Sequence, residues 1–187
     1  MLVKTCGLRR IIDIEYANKL KPDYVGFVFA KSKRQVSIEE AKLLKSKLDK
    51  NIISVGVFKD DDINLIKHVI NNNIIDIIQL HGNESDEYIK LIKEFTNIPI
   101  IKAYRDSNLC EYSLFDNINP GCGEMFDWKT IKTNKPFFLA GGININNLDD
   151  AIKLKPFCID VSSGIETDGF KDYKKMEEFI KRCRDYE

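Results

Sequence analysis

Eight short apolar runs, at 2–5, 24–29, 52–58, 74–80, 98–103, 112–115, 137–140 and 157–161, recur along 187 residues and alternate with stretches of helical spacing. That alternation restricts the chain to strands followed by crossover helices, hence a parallel sheet. At about 23 residues per unit the loops must be minimal, which suits a sheet closed into a single (β/α)8 barrel better than an open doubly wound sheet. The helices announce themselves. Ser37 with Glu40 forms a capping box, behind which Ile38, Ala41, Leu44 and Leu48 share a side. Tyr88, Leu91, Ile92 and Phe95 form a second stripe, and Met176, Phe179, Ile180 and Cys183 a third. Asn144 is the expected cap of a helix bearing Leu148, Ala151 and Ile152, and the Asn71, Asn72, Asn73 run reads as a helix end and turn. Between the fifth and sixth strands only residues 104–111 remain, too few for an ordinary crossover helix, so an irregular link is expected there. One domain over 1–187 follows, with no tandem repeat.

Composition bounds the partners. With 29 Lys plus Arg against 29 Asp plus Glu the formal charge is zero, which argues against nucleic acid or an anionic membrane surface as a ligand. No apolar run reaches the roughly 18 residues of a spanning helix, no signal-peptide pattern opens the chain, and a cytoplasmic protein is the expectation. The five cysteines, Cys6, Cys110, Cys122, Cys158 and Cys183, are scattered without a C-x-x-C pair and with only two histidines, so neither a disulfide framework nor a metal site is expected.

In a barrel of this kind chemistry resides just after the strands. Cys6 and Gly7 follow the first, residues 31–34 the second, and Gln79, His81 and Gly82 close the fourth. Asp116 follows the sixth, Ala140-Gly141-Gly142 the seventh, and Ser162-Ser163-Gly164 the eighth. Singly, each glycine is explained by a tight turn. Paired on adjacent closing strands, Gly141, Gly142 and Gly164 bring bare N–H groups to one place, as an anion such as phosphate requires. Cys6 taken alone reads equally as an inert buried thiol, Asp116 as a turn residue, and Arg34 as part of a solvated loop whose fork also suits a carboxylate. Alternation along the strands puts Lys4 with Cys6 on one face of the first and Asp160 with Ser162 on one face of the eighth. Strands one and eight meet when the barrel closes, so Lys4 and Asp160 are expected to pair.

Taken in order, KTCG at 4–7, GFVF at 26–29, SKRQV at 32–36, VGVF at 55–58, QLHG at 79–82, LFD at 114–116, FDW at 126–128, LAGGIN at 139–144 and DVSSGIE at 160–166 resemble the phosphoribosylanthranilate isomerases over nearly the whole chain. The resemblance implies an Amadori rearrangement of N-(5-phosphoribosyl)anthranilate in tryptophan biosynthesis, with no cofactor and no metal. It implies Asp116 as general acid at the ribose ring oxygen, Cys6 as the base that removes the C2 proton, and Arg34 as the holder of the anthranilate carboxylate. Gly141, Gly142, Ser163 and Gly164 would cradle the phosphate, with Gln79 and His81 in the substrate pocket. Thr5 and Cys122 depart from the family pattern. The expected partner is a small phosphoribosyl substrate, with no nucleic acid and no membrane, and the chain a monomer or homodimer. A free thiol near 8.5 is mostly protonated at neutral pH, so something must favour the Cys6 thiolate, the candidates being the substrate's own iminium cation and nearby backbone dipoles. The rival readings are another phosphosugar barrel that shares the phosphate loops alone, a thiol-nucleophile enzyme pairing Cys6 with His81, and a degenerate barrel serving as a binding module.

Overall fold

The structure is a computed structural model, and it describes residues 1–117 and 127–186, the side chain of Lys129 excepted. Cys122 and Phe126, singled out above, lie outside the described residues. Eight parallel strands close in sequence order into a barrel: β1 (Leu2–Cys6), β2 (Tyr24–Val28), β3 (Ile53–Phe58), β4 (Ile77–Leu80), β5 (Ile100–Ala103), β6 (Tyr112–Phe115), β7 (Phe137–Leu139) and β8 (Cys158–Val161). The seam is the β1–β8 pair, with Lys4 in register with Asp160. Helices α1 (Ile11–Leu20), α2 (Ile38–Lys47), α3 (Ile63–Asn71) and α4 (Asp86–Lys93) follow the first four strands; α5 (Leu148–Lys153) and α6 (Tyr173–Arg184) follow β7 and β8.

No helix joins β5 to β6, as the short spacing requires, and between β6 and β7 the described residues form only a 3-10 turn at Trp128–Thr130. Among the described residues the covering layer therefore lacks a helix between β5 and β6. A small antiparallel hairpin of β9 (Glu166–Thr167) and β10 (Phe170–Lys171) follows β8. Among the described residues no helix is long and apolar enough to cross a membrane.

Local chemistry explains most boundaries. The Ser37–Glu40 box caps α2 with both of its bonds made. Asn73, with φ of 53°, turns the chain after α3, and it leaves Ile74 and Ile75 buried in the turn rather than in β4. The apolar run at 74–80 thus overstates its strand, because burial alone does not distinguish a strand from a packed turn. Asn144 is not the cap of α5. That place belongs to Asn147, whose Oδ1 accepts the Asn144 N–H, while Asn144 Oδ1 closes a turn on the Asn146 N–H. In α4 the buried positions are Ile89 and Ile92, with Leu91 half exposed, so the stripe is rotated from the one expected. The inward side chains of alternate strands fill the barrel in layers. Tyr24 and Tyr112 each meet Phe138 edge to face at 5.5 Å in the barrel interior, and Lys4, Gln79 and Asp160 of β1, β4 and β8 form a buried polar layer.

Candidate active site

The polar layer opens at the C-terminal ends of the strands on a cleft of about 230 Å³. Cys6, Arg34, Gln79, His81, Asp116, Gly141, Gly142 and Ser163 all line it. Of the residues expected there, Gly164 stands behind the wall: a Cβ on it would come within 2.1 Å of the Ile143 carbonyl oxygen, so its bareness serves the close approach of the β7 and β8 loops. Gly141 and Gly142 have φ of 86° and 66°, where a side chain is strained. The side-chain amides of Asn144 and Asn147 both donate to the Gly142 carbonyl, which holds that loop in place.

Cys6 ends β1 beside Gly26 of β2. A Cβ at Gly26 would come within 2.5 Å of Cys6 Sγ, so the thiol occupies space that only glycine leaves open. Burial pushes the thiol above its ordinary value, while the ammonium groups of Lys4 and Lys171 pull it back. The pairing expected at the seam is made: Lys4 Nζ donates to Asp160 Oδ2 at 2.5 Å and to Gln79 Oε1 at 2.8 Å. Burial disfavours the Lys4 charge, but Asp160, helped by Cys6 and Cys158, outweighs it and holds Lys4 above the usual lysine range.

A continuous polar chain runs from that pair to the far wall. With its oxygen turned to Lys4, the Gln79 amide presents its nitrogen to His81 Nδ1 at 2.7 Å. A ring that accepts at Nδ1 carries its proton on Nε2, which faces Asp116 Oδ2 at 3.2 Å. The separation is within ion-pair reach, but the angle is too poor for a hydrogen bond, and His81 Nε2 has no aligned partner among the described residues. The other Asp116 oxygen accepts the Asn117 N–H at 2.6 Å. Tyr104, a non-glycine residue at φ of 69°, sets its ring edge-on to His81 at 5.2 Å. Asp127, by contrast, is exposed and precedes the 3-10 turn.

Arg34 is held more firmly than the sequence suggests. Its Nε and Nη2 donate to the two oxygens of Glu166 at 2.7 and 2.8 Å. Glu166 Oε1 also accepts from Lys171 Nζ at 2.6 Å. Burial alone would raise the Glu166 carboxyl, yet Arg34 and Lys171 hold it down at about 2. Lys171 is itself depressed, chiefly by burial and further by Arg34, even though Glu166 favours its charge. Glu166, Lys171 and the cleft-lining Lys59 were not anticipated as site residues. Glu166 lies in the quoted DVSSGIE string, but nothing local announces a partner 132 residues away. Among the described residues no group of three or more His, Cys, Asp or Glu side chains is placed to hold a metal ion.

The sequence profile described as N-(5'phosphoribosyl)anthranilate (PRA) isomerase matches residues 3–182. The chain belongs to that family. A curated relative, the N-(5'-phosphoribosyl)anthranilate isomerase of Thermoanaerobacter pseudethanolicus, is 45% identical over 197 aligned positions that cover 97% of each chain. Among solved structures, the phosphoribosyl anthranilate isomerase of Thermus thermophilus superposes with a TM-score of 0.90 at 29% identity over 100% of both chains. Another phosphoribosyl anthranilate isomerase, solved in complex with reduced 1-(o-carboxyphenylamino)-1-deoxyribulose 5-phosphate, superposes with a TM-score of 0.81 at 31% identity, covering 99% of this chain and 100% of that one. The closed barrel is therefore that of the phosphoribosylanthranilate isomerases.

Proposed function

We propose that this chain isomerises N-(5-phosphoribosyl)anthranilate to 1-(2-carboxyphenylamino)-1-deoxyribulose 5-phosphate, with Asp116 as general acid and Cys6 as general base. The observation that carries the reading is that Cys6 and Asp116, from strands on different sides of the barrel, line one cleft together with Arg34 and the β7 loop glycines. Asp116 gives its proton to the ribose ring oxygen as the C1–O bond breaks, and the nitrogen lone pair forms the iminium. That cation acidifies the C2 hydrogen, which Cys6 removes as a thiolate. The resulting enolamine takes a proton at C1 and loses one from the C2 hydroxyl, leaving the ketose, and solvent returns both side chains to their starting states.

Each term has a physical basis in the site. Lys4 and Lys171 favour the Cys6 thiolate against its burial, and the iminium adds a third positive charge as the reaction proceeds. Arg34 would meet the anthranilate carboxylate. The N–H groups of Gly141, Gly142 and Ser163, with Gly164 behind them, would meet the phosphate at the opposite end. The thiol-nucleophile reading has less support, because both ring nitrogens of His81 face Gln79 and Asp116 rather than Cys6.

The test is a pair of variants. Cys6→Ser and Asp116→Asn should each lower kcat by about 10²-fold or more while the reduced product analogue binds within a few-fold of wild type, because both groups act mainly in the transition state. A covalent adduct trapped at Cys6, or near-normal kcat in Asp116→Asn, would contradict the assignment.

A further inference from the structure

We infer that Glu166 is a positioning residue for substrate recognition: it occupies the Nε–Nη2 edge of Arg34 and so leaves the guanidinium a single edge, at Nη1, with which to read a ligand carboxylate. The inference rests on the proposed role of Arg34 and adds a specificity determinant to it. The pair is buried, with side-chain exposures of 9% for Arg34 and 6% for Glu166, and both carboxylate oxygens are used in the fork. Lys171, at 1% exposure, donates a further bond to Oε1.

A substrate carboxylate that displaced Glu166 would exchange one carboxylate for another on the same nitrogens. It would leave a buried anion with Lys171 as its sole charged partner among the described residues, so displacement has no driving force. The rest of the arginine is fixed as well. Its stem crosses Gly7, whose φ is +80°, and a Cβ there would come within 2.5 Å of Arg34 Cδ. Arg34 lines the cleft, and its Nη1 makes no hydrogen bond among the described residues. Two cations and one anion leave this cluster with one net positive charge, the complement of one carboxylate. An immobile guanidinium with one edge to offer recognises a carboxylate at one position, which suits an N-aryl amine carrying its carboxylate ortho to the nitrogen.

The experiment compares two ligands by calorimetry: the reduced product analogue and its counterpart made from aniline, which lacks the carboxylate. Wild type should prefer the carboxylated ligand by roughly tenfold to a hundredfold, the range for one charged hydrogen-bonded contact. Arg34→Met should abolish the preference. Glu166→Gln, which leaves a neutral partner on the fork, and Glu166→Asp, which keeps the charge beside Lys171 but withdraws it by one methylene, should each bring the preference down to about threefold or less. Binding of the aniline-derived ligand should stay within about twofold in the two Glu166 variants, which a general loss of structure would not allow. If Arg34→Met loses the preference and the Glu166 variants keep it, Glu166 has no positioning role and the reading of Arg34 stands. If Arg34→Met keeps it, the carboxylate reading fails and this inference with it. Loss of aniline-derived ligand binding in both Glu166 variants would also overturn the inference, since Glu166 would then be required for the fold rather than for recognition.

Discussion

Replacing Lys4 by methionine removes the ammonium from the barrel seam and keeps much of the side-chain volume. The lysine is fully buried and donates to Asp160 Oδ2 and Gln79 Oε1; Asp160 Oδ1 already lacks a partner among the described residues. The variant therefore leaves a buried carboxylate with neither oxygen bonded and an amide oxygen without its donor. Breaking a buried pair from one side costs about 3–5 kcal/mol. With a urea dependence of about 3 kcal/mol per molar, the midpoint should fall by roughly 1–2 M. The sign of the pH dependence follows from the orphaned acid. Without its ammonium, buried Asp160 titrates above its unfolded value of about 3.9, so the folded state binds the proton more readily. The penalty is then largest above that raised value and shrinks as the pH falls through it. Urea denaturation at pH 8 and pH 5 should show the smaller deficit at pH 5, and Lys4→Met/Asp160→Leu should recover most of the loss. A deficit below about 1 kcal/mol at pH 8, unchanged at pH 5, would refute the reasoning.

Gly26→Ala should lower kcat by about 10²-fold with a folded barrel, because the new Cβ would lie 2.5 Å from Cys6 Sγ and must displace the base; circular dichroism and steady-state kinetics check it. Because burial outweighs the lysines at Cys6, its thiolate forms above the ordinary thiol range, and the iodoacetamide rate of the free protein should still be rising at pH 9. In Lys171→Met, which removes a cation that favours the thiolate, the same profile should move to higher pH. Asp127→Asn should keep most of the activity, since Asp127 is exposed outside the cleft; a folded but inactive Asp127→Asn would reassign the acid.

Much of this architecture was legible because a minimal barrel repeats one local pattern. Strand parity with barrel closure brought Lys4 opposite Asp160, and position at the end of the fourth strand put Gln79 and His81 at the mouth that the cleft exposes. The pattern failed where burial came from turns, as at Ile74 and Ile75, and where several asparagines competed for one cap, as at Asn144 and Asn147. At the site, residue type was legible and partnership was not. Arg34 reads as a free fork for a carboxylate, and only the fold shows that Glu166 already fills most of it. Gly26 looks like an ordinary strand glycine until Cys6 Sγ is found in the space it leaves. Such pairings depend on how distant strand ends converge, which local periodicity does not encode.

The most direct measurement follows the fluorescence of N-(5-phosphoribosyl)anthranilate after addition of the purified protein in buffer containing a metal chelator and no cofactor. The account predicts a catalytic loss of fluorescence with wild type and a rate lower by about 10²-fold or more with Cys6→Ser or Asp116→Asn. Fluorescence that persists with folded wild-type protein, or that disappears as fast with either variant, would contradict it.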